Sequence, residues 1–283
     1  MSNELLIGFH ISIEKSLDLA FDRAQEIGCT TFQIFTRNPR TWGFKPLAKD
    51  QTEEFRDKRR RLGFKFLVAH MPYLPNLASP EKATMKASRH SLCEEVNRCD
   101  ALGIEYLVTH LGSHLGGGVL LGVKNVSDAV NQALASSDGR AIILLENMAG
   151  QKKSVGSRFE ELRLILDRVK KRERVGVCLD TCHAFASGFD LSGPESVSQS
   201  MAIFKDSVGY ERIKVVHLND SKGALGSSLD RHEKIGKGKI GMKGMKAFLQ
   251  YRGITERPLI METPHDDFTG MKQNLSLAHS LIG

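Results

Sequence analysis

Short runs rich in β-branched and aliphatic residues recur eight times along the chain, at residues 5–11, 31–36, 64–70, 106–110, 141–146, 175–180, 213–218 and 258–262. Their hydrophobicity is continuous rather than alternating, as expected of strands covered on both faces. Between them, apolar positions fall at steps of three and four. Leu17, Ala20, Phe21, Ala24 and Ile27 do so ahead of Gly28, as do Phe159, Leu162, Leu166 and Val169, and Met242, Met245 and Leu249 ahead of Gly253. These spacings predict helices. Asp50 and Ser157 are the expected N-caps, with Glu53 completing a capping box on Asp50. Strand, helix, strand at this spacing implies parallel strands joined by crossover helices. Eight such units close into a (β/α)8 barrel, and 283 residues suit a fold that typically takes about 250. No linker rich in Pro, Gly or Ser interrupts the pattern, so residues 1–283 are expected to form one α/β barrel domain.

The residues that terminate the runs carry chemistry. The third ends in His70, the fourth in His110, the fifth in Glu146, the sixth in Asp180 and the eighth in Glu262, while the seventh contains His217. In such barrels the C-terminal strand ends converge on one mouth. One histidine at a strand end is more often structural than functional. Six acids and imidazoles in register are different, because crowded together without cations they would repel or go unsatisfied. The loops add His183, three residues beyond Asp180, and the pair Asp230 and His232. The nine side chains make a donor set of imidazole and carboxylate, suited to zinc, manganese or iron rather than calcium or magnesium. One catalytic zinc commonly takes about three protein ligands, so nine suffice for three ions. Four carboxylates against three divalent cations leave the cluster positive, which suits a phosphodiester substrate and metal-assisted hydrolysis.

Composition changes this picture little. A net charge of +7 favours a polyanionic partner slightly, and Lys58-Arg59-Arg60-Arg61 reads as a solvated helix face. The five cysteines include no CxxC pair and no export signal precedes them, so reduced thiols in the cytoplasm are expected. Cys178 and Cys182 flank Asp180, yet buried hydrophobic roles are favoured over ligation. No run approaches the roughly 18 apolar residues of a membrane span, and membrane association is not expected.

The segments containing Asp180-Thr181-Cys182-His183-Ala184-Phe185, His217-Leu218-Asn219-Asp220-Ser221-Lys222 and Asp230-Arg231-His232 resemble the signature stretches of the endonuclease IV family. So do Leu145-Glu146-Asn147 and Thr109-His110-Leu111-Gly112-Ser113-His114, in an order spanning nearly the whole chain. The resemblance implies hydrolysis of the phosphodiester 5′ to an abasic site in double-stranded DNA. The products would be a 3′-hydroxyl and a 5′-deoxyribose phosphate, with cleaning of blocked 3′ ends as a second activity. It implies three divalent metals, foremost Zn2+, with Mn2+ or Fe2+ as alternatives at one position. Glu146 would bridge one metal held by His70 and His110 and another held by Asp180, His217 and Glu262. His183, Asp230 and His232 would hold the third. Catalytic roles are implied for Glu146 and for Glu262, which would orient or activate the nucleophile. Arg40 would insert into the DNA, and Tyr73 and Leu74 would act as a wedge.

Two departures from the family pattern are Ile13-Glu14-Lys15-Ser16, where a glycine-containing turn is usual, and Met71 after His70. His10 and His114 are expected near the mouth as supporting or phosphate-side residues. Gly236-Lys237-Gly238-Lys239-Ile240-Gly241 matches a dinucleotide-binding pattern but lacks the preceding strand, so no nucleotide cofactor is expected. Lys237, Lys239 and the free amides of that stretch are expected to contact DNA phosphates instead. A monomer is expected. The competing enzyme reading is a metal-dependent sugar isomerase or epimerase on a related barrel. That reading has no use for the group His183, Asp230 and His232. A noncatalytic damage binder and a Schiff-base lyase are weaker alternatives, separated by metal-dependent nicking and by borohydride trapping.

Overall fold

The computed structural model describes residues 5–265 and 267–282; residues 1–4 and 283, at the ends of the expected domain, and Asp266 lie outside the described residues. The elements run β1 (Ile7–Phe9), α1 (Leu19–Ile27), β2 (Gln33–Phe35), α2 (Lys49–Leu62), β3 (Val68–His70), α3 (Lys82–Leu102), β4 (Tyr106–Thr109) and α4 (Val119–Ala135). They continue through β5 (Ile142–Glu146), α5 (Phe159–Arg168), β6 (Val175–Asp180), α6 (Thr181–Ala186), α7 (Pro194–Ser207), β7 (Ile213–His217), β8 (Asp220–Ser221), β9 (His232–Glu233), α8 (Gly241–Leu249), β10 (Leu259–Met261) and α9 (Phe268–Ile282).

Eight parallel strands form one sheet in the order β1-β10-β7-β6-β5-β4-β3-β2, with β8 and β9 as a separate antiparallel pair. A parallel bridge between His10 and Gln33 joins the two ends, and Ile11 N donates to Gln33 O at 2.7 Å. The sheet is therefore a (β/α)8 barrel whose β1–β2 seam is its thinnest join. Gly8 makes that seam possible, since a methyl there would overlap the Thr31 carbonyl. Gly8→Ala is expected to cost about 1–3 kcal/mol through overpacking. A fall in the urea midpoint at unchanged slope would register it, and an unchanged midpoint would refute it.

The eight apolar runs all become strands, but the paired segments are shorter than the runs. The outlying apolar residues, such as Ile11 and Leu218, pack in the core beyond the ladder. The α1 stripe is buried as expected and ends on a left-handed Gly28. Both expected caps are displaced. Helix α2 starts at Lys49 with Ala48 as cap, where the Gln51 side chain accepts from Ala48 N at 3.4 Å, and Asp50 sits inside the first turn. Helix α5 is capped by Arg158, one residue after Ser157, and Glu161 folds back to accept from Gly156 N at 2.6 Å. In both cases a side chain from within the first turn reaches the loop amide, so the preceding residue need not be a capping type. Met242 is exposed, unlike Met245 and Leu249. The basic run on α2 is less solvated than its composition suggests. Lys58 pairs with Asp18 at 3.0 Å and Asp22 at 2.6 Å, and Arg59 pairs with Glu105 at 2.6 Å, which ties α2 to its neighbours. Among the described residues, no helix is long and apolar enough to cross a membrane.

Candidate metal centre

Inside the barrel, Val68, Val108, Leu144, Cys178, Val215 and Ile260 form a buried layer of their own. A strand returns to the same face every second residue. Two residues further on, the same six strands therefore aim His70, His110, Glu146, Asp180, His217 and Glu262 above that layer, at the C-terminal mouth. The apolar floor accounts for the clustering of these polar groups and for the burial of His70, Glu146, Asp180 and His217.

The loop ligands arrive by two devices absent from the sequence reading. Strand β6 runs directly into α6, and Asp180 caps it, its Oδ1 accepting from His183 N at 2.6 Å. The three-residue spacing of Asp180 and His183 is the spacing from a cap to the third helical residue. The β8–β9 pair then sets Ser221 opposite His232, returning Asp230 and His232 to the mouth.

Together these elements bring all nine expected ligands to one cavity region. Ligand atoms lie within 4.8 Å of one another in the groups His70–His110–Glu146, Glu146–Asp180–His217–Glu262 and His183–Asp230–His232. Glu146 is fully buried and shared by the first two. Its Oε2 lies 3.2 Å from His70 Nε2 and 3.1 Å from His110 Nε2, and its Oε1 lies 2.9 Å from His217 Nδ1.

The imidazoles are oriented from behind. His70 Nδ1 donates to Met71 O at 2.7 Å, His183 Nδ1 to Asn147 O at 3.0 Å and His232 Nδ1 to Glu262 O at 3.2 Å. A carbonyl only accepts, so in each case the hydrogen sits on the outer nitrogen and the inner Nε2 is left for the cavity. His183 Nε2 and His232 Nε2 are buried without a well-formed hydrogen bond, each with Asp230 Oδ1 beside it, at 3.2 and 3.6 Å. Orphaned inner nitrogens beside carboxylates are what a set of metal ligands looks like, so the residues present fit divalent cations. Asn147 and Asn219 hold the acids in turn. Asn147 Oδ1 accepts from Asp180 N at 2.7 Å, and Asn219 Nδ2 donates to Asp180 Oδ2 at 2.8 Å.

Electrostatics agree with the geometry. Burial would push His183 down, but Asp180, Asp230 and Glu146 outweigh it and lift the imidazole to about 10. His110 is raised against burial by Glu146, and His217 by Cys178, Glu262 and Glu146. Burial opposes ionisation of Glu146 and Glu262, yet the imidazoles around them hold both carboxyls well below the usual range. Protons thus occupy the charge positions a cation would take. In the metal-free chain the raised imidazoles add stability that is complete below their unfolded value of about 6.5 and is lost as pH rises through about 10 for His183. Cations must displace those protons, so metal affinity should strengthen as pH rises toward 10, with protons released on binding. Calorimetric titration in two buffers of different ionisation enthalpy counts them, and zero release would refute this account.

The cavity has a volume of about 310 Å³, and its wall includes His10, Tyr73 and His265 beside His70, His110, His183, Asp230, His232 and Glu262. Burial lowers His10, and its Nε2 is buried without a partner. His265 was not anticipated, since it lies beyond the last apolar run. His114 does not line this cavity; its Nδ1 accepts from Gly116 N at 3.2 Å and Gly118 N at 3.1 Å, shaping the loop before α4. Met71 is buried, with its sulfur accepting from Thr109 Oγ1 at 3.1 Å. Cys178 belongs to the apolar floor and burial pushes its thiol up to about 12. Cys182 lies within reach of Asp180 and His232, but burial raises its thiol too, and its Sγ approaches Arg231 O at 3.6 Å.

Around the mouth, Arg40, Tyr73, Leu74, Lys237 and Lys239 are all exposed. Tyr73 and Leu74 show 63% and 40% of their surface, large values for an aromatic and an aliphatic side chain. Trp42, Leu115, Leu225 and Leu229 are also exposed, on loops that follow β2, β4 and β8. The glycine-rich stretch departs from expectation in one respect. Asp220 accepts from Gly238 N and Ile240 N, both at 3.0 Å, and from Gly241 N at 3.1 Å, while Lys239 N donates to Ser221 O. The amides of Gly238, Lys239, Ile240 and Gly241 are thus committed to acceptors within the chain, which leaves the two lysine side chains as the exposed charges of this stretch.

Comparison with known proteins places this geometry in a family context. Residues 21–281 match the family model described as a xylose isomerase-like TIM barrel. The chain is 45% identical over 280 residues to a protein named "Probable endonuclease 4" from Methanoculleus marisnigri, covering 99% of both chains. It superposes with a TM-score of 0.87 and 35% identity on the crystal structure of endonuclease IV from Thermus thermophilus, covering 98% of each. A D-tagatose 3-epimerase-like protein shares the fold at a TM-score of 0.71, with 18% identity and coverage of 97% and 98%.

Proposed function

The chain belongs to the endonuclease IV family, and on that premise we propose that it is a DNA-repair hydrolase that incises double-stranded DNA at apurinic/apyrimidinic sites. The cut falls 5′ to the abasic sugar and leaves a 3′-hydroxyl and a 5′-deoxyribose phosphate. Removal of 3′ blocking groups is a second activity of the same site. Three divalent cations, foremost zinc, are held by the three ligand groups around Glu146, and the enzyme acts as a monomer.

The observation that carries this reading is the third group. His183, Asp230 and His232 converge beside the Glu146-centred pair, with two inner imidazole nitrogens turned toward one carboxylate oxygen. A sugar isomerase needs one or two metals, and a third group has no task there. Ions bound here would supply Lewis acidity, a water nucleophile of lowered pKa and charge to stabilise a departing alkoxide.

The chain's own residues do the rest. Glu146 shares its two oxygens between two ligand groups and so fixes their spacing. Glu262 is one-fifth exposed and reaches the cavity. Its depressed pKa keeps it an acceptor, fit to orient an attacking water. The exposed Tyr73 and Leu74 suit a vacated base stack, Arg40 the minor groove, and Lys237 and Lys239 the flanking phosphates. Extrusion of the abasic nucleotide would bring its phosphate to the cavity.

The test is nicking of a labelled duplex carrying one tetrahydrofuran abasic analogue, which blocks a lyase. Cleavage 5′ to the analogue should disappear on prolonged chelation and return with zinc or manganese, while undamaged duplex stays intact. A folded, metal-loaded protein that leaves the analogue uncut would overturn the assignment.

A further inference from the structure

Gln33 is fully buried at the β1–β2 seam, and its amide touches three residues of the centre. Its Nε2 lies 2.7 Å from Glu262 Oε1 and 2.9 Å from His10 Nδ1, and its Oε1 lies 2.8 Å from His217 Nε2. Chemistry fixes which way this amide points. Turned over, it would set its carbonyl oxygen against the Glu262 carboxylate, with no proton between two acceptors. With the amino group on Glu262, the carbonyl faces His217. A carbonyl only accepts, so His217 carries its hydrogen on Nε2.

Two consequences follow for the remaining ring nitrogens. His217 presents Nδ1, which lies 2.9 Å from Glu146 Oε1 and 3.3 Å from Glu262 Oε2. A nitrogen lone pair among carboxylate oxygens is a cation ligand. His10 Nδ1 lies 3.4 Å from Glu262 Oε1 but closer, 2.9 Å, to the Gln33 amino group; facing that donor it accepts, and His10 carries its own hydrogen on Nε2. That atom is buried without a partner, in a side chain on the cavity wall.

We propose that Gln33 is a positioning residue of the metal centre. It holds His217 as the tautomer that ligates through Nδ1, ties down one oxygen of Glu262 so that the other is free for a cation, and makes His10 a donor aimed into the cavity. The sequence motifs that mark the ligands do not include it, and it acts on one group, Glu146–Asp180–His217–Glu262. The proposal rests on the reading of this cluster as a metal centre.

Gln33→Met keeps the size of the side chain and removes the amide. Loss of a partner behind a metal ligand typically costs about 10–100-fold in metal affinity or activity. Dialysis of purified Q33M against graded chelator should release one ion at roughly 10–100-fold lower chelator concentration than the wild type requires, with the remaining ions held as before. Turnover of the abasic duplex should fall in kcat more than it changes KM. Nitrogen NMR of the cadmium-loaded wild type should show the metal coupled to His217 Nδ1 and the proton on Nε2, a pattern mixed or lost in Q33M. Gln33→Glu, which can still accept from His217, should restore that pattern while leaving Glu262 without its donor. A Q33M protein that retains every ion as tightly as the wild type and keeps the His217 pattern overturns the proposal, whatever happens to its melting temperature. A wild type that binds no divalent ion overturns the proposal and the metal-centre reading together, so the two failures are told apart.

Discussion

Glu146→Gln is expected to lower the rate of incision at an abasic analogue by at least about 10³-fold, on the scale seen when one preorganised electrostatic partner is removed from an active site. The size follows from the position of the carboxylate. It is fully buried, and its two oxygens face His70, His110 and His217 from three different strands within 3.2 Å. Glutamine has the same shape but no charge, and it turns an amino group toward nitrogens that need an acceptor or a cation. Metal content should fall by at least one ion as activity falls, and metal analysis beside single-turnover kinetics reads both. A variant that keeps its full metal complement and cuts at the wild-type rate would remove Glu146 from the centre of the mechanism.

Glu95→Ala should destabilise the protein by about 3–5 kcal/mol, the usual cost of removing one partner from a buried ion pair. Glu95 is fully buried in α3. One oxygen accepts from Arg37 Nε at 2.6 Å and the other from Thr36 Oγ1 at 2.6 Å. Arg37 also donates to Ser91 Oγ and Thr41 O, and Arg98 donates to Thr36 Oγ1 and Lys45 O. Without the carboxylate, two nearly buried guanidinium groups lose their counter-charge. The same network clamps the loop after β2, so if Arg40 contacts DNA as proposed, binding of damaged duplex should weaken as well. For a chain of this size the melting temperature should drop by about 2–4 °C for each kcal/mol. Glu95→Gln keeps an acceptor for Arg37 and should cost less. Equal melting temperatures for the alanine variant and the wild type would show that the pair adds nothing.

Legibility in the sequence followed the range of the interactions. His70, Glu146 and Asp180 could be read because each lies two residues beyond an interior apolar position on its own strand, a pattern local to a few residues. The barrel could be read because its strands, buried on both faces, appear as unbroken apolar runs. Gln33 could not be read in this way. It sits in an ordinary apolar run, and its role exists only because β1 and β10 bring His10 and Glu262 to it. Asp180 was visible as an acid but not as a helix cap, since a helix as short as α6 carries no periodicity. Asp220, the carboxylate that accepts from the amides of the glycine-rich stretch, lies far enough upstream that spacing alone could not couple them.

Strand β10 is the last strand to be made and lies between the first strand and β7. A nascent chain that has reached Gln250 therefore holds every expected ligand except Glu262. At that stage β1 and β7 still present raw edges that invite pairing with another chain. The carboxylate that offers one oxygen to Gln33 and the other to His217 has yet to appear. The chain cannot assemble its full ligand set until its final strand slots home, so the unfinished protein carries the hazard of an open sheet before it can carry the hazard of an active nuclease.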